Sequence, residues 1–406
     1  MKKVLPVYPY HYHVERIIRA FGFEPYDVPV FVFDENADKL TVCTSVYDRM
    51  AEVTGKTLPW GIFTGVRPIR FIRENRGQIE DFRISPARLA LADEIIDFQR
   101  AVLPAAKNAV LLYVGIPFCP GRCAYCSFVS ESVKKSYRLI PEYVDLLIRE
   151  LQSRGEAVRE RGFIPEAIYI GGGTPTSLPL DQQERIYRQI RELSPNHRGR
   201  EYTIEAGRPE TLTHEVIDLL KRSGANRISI NPQSMNDKTL ELIGRGHSSG
   251  DVYSAYERAR RQDFDSVNMD LIAGLPGEDE SAFADSLSKV IELAPENITV
   301  HSLAKKRSAV FAGEIGGDFT ETAYKILKSA GYSPYYLYRM SNSAGDNIGY
   351  MRNAEKIGIY NVAMMDESVN VLGAGCGAAT RIITDSGKIQ KHYNPKYPYE
   401  YIKSQY

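Results

Sequence analysis

Three cysteines, Cys119, Cys123 and Cys126, fall within eight residues in the run FCPGRCAYCSF. Thiolates are soft ligands that suit zinc or iron–sulfur clusters, and Pro120 with Gly121 lets the chain curl around a bulky inorganic core. The C-x3-C-x2-C spacing is specific, and the loop brings no fourth Cys or His. Structural zinc wants four closed ligands, so the trio fits a four-iron cluster better, with one iron left open as catalytic metal sites keep a position for substrate. Phe118, Tyr125 and Phe128 are expected to pack around such a cluster and limit solvent, and Arg122 to offset its charge.

A second set of candidates is polar and spread along the chain. Gly171-Gly172-Gly173-Thr174-Pro175 offers positions without side chains, where backbone groups approach a ligand closely. Glu205, Gln233 and Asp270 fall at or near the ends of apolar runs, where isolated polar groups are costly unless they bind something. A carboxylate such as Glu205 can accept hydrogen bonds from ribose hydroxyls or an ammonium, and Arg245 in IGRGHS can balance a carboxylate. Singly, each of these is also a helix cap or a loop partner.

The elements that must carry these groups are six short apolar runs at 109–117, 167–173, 201–207, 227–234, 266–274 and 297–303, alternating with helical patterns. Such alternation lays down a parallel sheet from successive βα units. Between the first two runs, Tyr143, Leu147 and Leu151 recur at helical spacing and predict a face packed on that sheet. The fold class is therefore α/β, a partial (β/α)6 barrel of TIM type over 109–305. An accessory domain precedes it (1–108), and an α+β extension covering the barrel mouth follows (306–406). Chemistry in such barrels gathers at the C-terminal ends of the strands, which is where the cysteines and the polar candidates fall.

Lys plus Arg and Asp plus Glu both total 51, so no global field draws the chain to nucleic acid or membrane. No apolar stretch reaches the roughly 18 residues of a membrane span, and nothing at the N-terminus has the form of a signal peptide. A soluble cytoplasmic protein is expected. Five cysteines, an odd number, suit a reducing compartment and a metal site better than a disulfide framework.

The strings YVGIPFC, CAYCSF, GGGTPT, TIEAG, PQS, GRGH and DLIAGLPGE together resemble the radical S-adenosylmethionine (SAM) superfamily, and within it the oxygen-independent coproporphyrinogen III oxidase group. LPWGIFTGVRP, EAGRPETLT and HSLAKKRS extend the likeness to the HemZ-type coproporphyrinogen dehydrogenases. The resemblance implies a [4Fe-4S] cluster on the three cysteines, and SAM contacts from Tyr113, Tyr125, Gly172, Gly173, Thr174, Glu205, Gln233, Arg245 and Asp270. It implies reduction of SAM to a 5′-deoxyadenosyl radical, with electrons from a low-potential donor such as ferredoxin or flavodoxin. The implied reaction converts two propionates of coproporphyrinogen III to vinyl groups, giving protoporphyrinogen IX in haem synthesis. His301, Lys305, Lys306 and Arg307 are candidates for the tetrapyrrole carboxylates, and no catalytic residue is assigned. Two positions depart from the group: Gly115 stands where its best-known oxidases carry a histidine, and residue 128 is not cysteine. LGAGCGAA near Gly373 reads as a packed turn or a second SAM contact. Related haem-binding chaperones show HNxxYW, for which this chain has DNIGYM, and a radical SAM enzyme acting on an unrelated substrate is the other alternative.

Overall fold

In the computed structural model, residues 10–25, 27–28, 36–104, 106–126, 128, 130–193, 201–304, 317–340, 343 and 345–404 are described. They form two compact units, Met1–Phe98 and Gln99–Tyr406. In the first, helices His11–Ala20 and Lys39–Thr54 bury an apolar stripe each, Val14, Ile17 and Ile18 against Val42, Val46 and Met50. Cys43 belongs to that core, which accounts for one of the two cysteines outside the loop. All five cysteines are unbonded.

The second unit is organised by one sheet. Its first six strands are β1 (Ala109–Ile116), β2 (Ile164–Gly172), β3 (Glu201–Glu205), β4 (Arg227–Ser229), β5 (Ser266–Ala273) and β6 (Asn297–Ser302), each pairing in parallel with the next. Helices Ile140–Glu160, Leu180–Leu193, His214–Ser223, Ser249–Arg261 and Glu280–Leu293 alternate with them, as the βα pattern requires. β1, AVLLYVGI, is a near-continuous apolar run with both faces covered, whereas β5 (SVNMDLIA) and β6 (NITVHS) alternate polar residues into the barrel interior. Tyr143, Leu147 and Leu151 are fully buried on the first of these helices. This is the partial TIM-type barrel of the sequence pattern.

The chain after 306 adds five strands to the same sheet: β7 (Ser333–Tyr338), β8 (Asn347–Met351), β9 (Asn370–Gly375), β10 (Ala379–Ile383) and β11 (Ile389–Tyr393). The full order is β11-β10-β9-β1-β2-β3-β4-β5-β6-β8-β7. The string SNSAGDNIGY contributes to this sheet. Its second half is β8, which pairs antiparallel to both β6 and β7, and the ring of Tyr336 lies where a side chain at Gly349 would be. On the other side, β9 pairs in parallel with β1, Gly115 against Gly375.

Among the described residues no helix is long and apolar enough to cross a membrane.

Candidate active site

Each strand of a parallel barrel ends on the same rim, so residues far apart in sequence converge there. Cys119, Cys123 and Cys126 follow β1, Gly172 ends β2, Glu205 ends β3, Gln233 follows β4, and Asp270 and His301 lie in β5 and β6. These residues line one cavity of about 400 Å³, together with Tyr125, Gly173, Thr174 and Arg245. Tyr113 is the exception among the sequence candidates. It is not in that lining; its ring stacks with Tyr169 and Tyr360, centroids 6.4 and 6.3 Å away, and its hydroxyl lies beside Gly172, 3.5 Å from where a Cβ there would stand.

The cysteine loop is held from several sides. The Thr174 hydroxyl points to Cys119 Sγ at 3.5 Å, and the Ala124 amide donates to the Ile243 carbonyl at 3.0 Å. The buried Arg208 guanidinium donates to Cys123 Sγ at 3.1 Å and to the Gly121 carbonyl at 2.9 Å. Arg208 in turn pairs with Glu210 at 3.4 Å. Arg208 thus donates directly to a thiol, Arg245 also acts on Cys123 and Cys126 through its charge, and Arg122 lines the same cavity from an exposed position. Phe118 is fully buried behind the loop and Tyr125 packs on the Leu240, Ile243 and Ile272 cluster. Phe128 lines the cavity but is 67% exposed, so it shields less than expected. Burial raises the Cys126 thiol above its ordinary range, with neighbouring thiols Cys123 and Cys119 adding to the effect.

Among the described residues no three Cys, His, Asp or Glu groups close tightly on a point that would hold one metal ion.

The glycine triad is required sterically. A Cβ on Gly173 would stand 2.5 Å from the Phe118 carbonyl oxygen and 3.0 Å from Cys119 Sγ, and Gly172 has φ 107°, a region open chiefly to glycine. A Cβ on Gly171 would lie 2.8 Å from the Glu205 carboxyl carbon. The triad therefore lets β2 press against both the cysteine loop and Glu205.

Two carboxylates of opposite character face the cavity. Glu205 is pushed up to about 7 by burial, although Tyr169 donates its phenol to Oε1 at 2.5 Å. Burial would raise Asp270 too, but His301 and the amide of Asn268 more than offset it, leaving its carboxyl below the usual range. His301 Nε2 is 3.6 Å from Asp270 Oδ2, its Nδ1 is 3.1 Å from the Tyr338 hydroxyl, and Asn268 Nδ2 donates to Asp270 Oδ1 at 2.7 Å. Between them, Arg245 is fixed by the carbonyls of Gly207 (3.1 Å) and Asn231 (2.9 Å), and its buried Nε has no hydrogen-bond partner. Gln233 holds φ 69°, a conformation that costs a non-glycine residue about 1 kcal/mol or more and that is typically retained where a site needs it. An ionised acid, a near-neutral acid and a guanidinium with a donor to spare are a donor set that fits SAM, whose methionine end carries an ammonium and a carboxylate and whose ribose carries hydroxyls.

The remaining wall comes from alternate residues of three strands. Asn268, Asp270 and Ile272, then Thr299, His301 and Leu303, then Tyr336, Tyr338 and Met340 line the cavity at the two-residue period of a strand. Tyr336, Tyr338 and Met340 went unassigned in the sequence. Their signal was there in the alternation of YSPYYLYRM, but only the β6-β8-β7 order decides which face turns inward. Arg208 and Asn231 were likewise unassigned. Lys305, Lys306 and Arg307 lie outside the described residues.

With this geometry in place, likeness to known proteins decides the family. The radical SAM superfamily profile matches residues 113–290. The chain is 38% identical over 376 residues to the oxygen-independent coproporphyrinogen-III oxidase-like protein HemZ of Bacillus subtilis, covering 86% of this chain and 75% of that protein. It belongs to the radical SAM superfamily, in the branch of HemN and HemZ. It is also 29% identical over 309 residues to the heme chaperone HemW of Haemophilus influenzae, covering 73% of this chain and 76% of that one. Its fold matches coproporphyrinogen III oxidase HemN from Escherichia coli with a TM-score of 0.58 at 24% identity, over 76% of this chain and 71% of that one. Radical SAM proteins carry a [4Fe-4S] cluster and SAM, and these are the cofactors of this chain.

Proposed function

We propose that this radical SAM protein oxidatively decarboxylates coproporphyrinogen III to protoporphyrinogen IX. Cys119, Cys123 and Cys126 hold the cluster in this reading, and Tyr125, Gly172, Gly173, Thr174, Glu205, Gln233, Arg245 and Asp270 contact SAM. One observation carries the proposal: the cavity that bears the thiols and the polar SAM-facing groups continues without a break into a wall of Tyr336, Tyr338, Met340, Leu303 and Met365. Aromatic and thioether surface of that kind matches the face of a tetrapyrrole. Residues beyond 306 supply most of that wall, which supports a C-terminal extension at the barrel mouth. Cytoplasmic residence goes with the unbonded cysteines and the need for a low-potential donor.

When bound, the cluster and SAM would supply hydrogen-atom abstraction at the propionate β-carbon, and as CO2 leaves to form the vinyl group the remaining electron would pass to a one-electron acceptor. The chain's own part is to position and to exclude water. Arg245 offers its positive charge to a carboxylate, and Glu205 with Asp270 offers acceptors of different charge to ribose hydroxyls and ammonium. His301, held between Asp270 and Tyr338, presents the polar edge of the aromatic wall to a substrate carboxylate.

The test is an anaerobic reaction of the reconstituted protein with dithionite, SAM and coproporphyrinogen III, analysed by mass spectrometry. Protoporphyrinogen IX with carbon dioxide is the expected result. Tight haem uptake without carbon dioxide would instead make this a haem carrier, the reading favoured by its likeness to HemW. 5′-Deoxyadenosine with neither outcome would mean a different substrate.

A further inference from the structure

We propose that the segment 134–138, hung directly on the cysteine loop, is the docking surface for an acidic, low-potential electron carrier. This rests on the reading that the three cysteines hold the cluster, which must receive one electron from outside before SAM is cleaved.

The geometry begins at the loop itself. Phe118 and Cys119 form a short parallel ladder with Glu131 and Ser132. The Glu131 amide donates to the Pro117 carbonyl at 2.7 Å, and the Val133 amide donates to the carbonyl of Cys119 at 2.9 Å. A hydrogen bond thus ties the backbone of a cluster ligand to the residue just before Lys134. The next turn is ordered rather than loose, since the amides of Lys135 and Ser136 both donate to the Ser132 carbonyl, at 3.0 and 2.9 Å. A short 3-10 turn, Tyr137–Leu139, then leads into helix Ile140–Glu160.

That turn displays Lys134, Lys135, Tyr137 and Arg138 to solvent, with Tyr137 61% exposed. Lys134, Lys135 and Arg138 make no ion pair or side-chain hydrogen bond among the described residues. The nearby carboxylate of Glu131 instead accepts from the Ser136 hydroxyl at 3.3 Å. Phe128 is exposed on the cysteine loop itself. The whole chain carries equal numbers of acidic and basic residues, so three uncompensated cations around a bare aromatic are a local feature. Cations framing an exposed ring attract an acidic partner, speed its encounter and set its register, with little contribution once salt is raised. A nucleic acid would look for a basic field over a wider surface than this neutral chain provides. The partner that fits both the charge and the place beside a redox centre is a reduced one-electron carrier. It gives one electron to the cluster and leaves oxidised, with no bond made or broken.

The experiment uses the anaerobically reconstituted full chain and an acidic flavodoxin as the probe. Binding is measured by biolayer interferometry at low and raised KCl for the wild type, Lys134→Glu/Lys135→Glu, Arg138→Glu and a remote control, Lys388→Glu. At low salt the double variant is expected to lose about tenfold or more in affinity, the wild type to weaken as KCl rises, and the control to bind as the wild type does. Dithionite-driven formation of 5′-deoxyadenosine should match the wild type, while flavodoxin-driven formation slows. Equal flavodoxin affinity in the double variant, equal loss in the control, or a parallel fall in the dithionite-driven rate each overturns the proposal. So does displacement of flavodoxin by a short oligonucleotide in preference to free acidic protein. If the wild type forms no 5′-deoxyadenosine with dithionite, the radical reading fails, and the binding curves still judge the surface separately.

Discussion

Replacing Glu205 with glutamine keeps the shape of the side chain and removes a charge that the fold disfavours. Burial raises this carboxyl from an ordinary 4.5 to about 7. A shift of that size corresponds to roughly 3 kcal/mol, and because the side chain opens onto the cavity and keeps some water, the discounted figure is about 1–2 kcal/mol. The sign follows from proton uptake. At low pH the group is neutral in both folded and unfolded chains and costs nothing. As pH rises from about 4.5 to about 7 the unfolded chain ionises first, so the wild type loses stability relative to the variant. Urea denaturation of the cluster-free protein at about pH 5 and about pH 8 should therefore show Glu205→Gln gaining on the wild type by about 1–2 kcal/mol between the two. A second readout concerns the ligand. Cationic groups of SAM beside Glu205 favour its ionised form, so SAM affinity of the wild type should rise with pH through neutrality, and that of the variant should not. A stability difference that does not change with pH would refute the argument that this carboxyl is held near neutral by its surroundings.

Gly173→Ala drives a methyl into the Phe118 carbonyl and Cys119 Sγ, so it should cost about 2 kcal/mol and lower the iron and sulfide retained on reconstitution. Near-normal iron content would show that the loop yields. Arg208→Gln removes the cation donating to Cys123 and leaves Glu210 less well paired; stability should fall by about 1–3 kcal/mol. The cluster midpoint potential, followed by electron paramagnetic resonance, should become more negative by tens of millivolts, and an unchanged potential would count against the contact. His301→Gln takes away the main group that opposes burial at Asp270, so the carboxyl rises and SAM binding should weaken as pH falls below neutrality, measured by calorimetry. The sign follows because a raised acid is protonated sooner on the way down; a flat profile matching the wild type would exclude this role.

Much of this site is legible in the sequence because its signals are local. A cysteine trio on one turn, three glycines ending a strand, and single polar residues closing apolar runs each announce themselves within a few positions. What was not legible depends on contacts between distant segments. Arg208 lies 85 residues from Cys123, and only the closeness of the turns after β1 and β3 brings its guanidinium to that sulfur. Phe128 reads as a shielding aromatic, but its exposure is a tertiary property that its place in the motif does not carry. The inner wall from β7 is invisible until the insertion of β8 beside β6 fixes which alternate residues face in.

Gly115, the position at which the group's best-known oxidases carry a histidine, has a structural cause here. The parallel pairing of β1 with β9 places Gly115 opposite Gly375, and a Cβ on Gly115 would collide with the carbonyl oxygen of Cys376. The phenol of the buried Tyr143 seals the same spot, donating to the Gly115 carbonyl at 2.5 Å and accepting from the Cys376 amide at 3.1 Å. Cys376 and the LGAGCG string are thus part of a packed backbone crossing that leaves no room for an imidazole on β1. Among the described residues lining the cavity, the one imidazole is His301, entering from β6 and held by Asp270 and Tyr338. A task that needs an imidazole in this cavity therefore falls to β6, on the side facing the aromatic wall, which in the proposed reading is the substrate side, with the cofactor bound on β2 to β5.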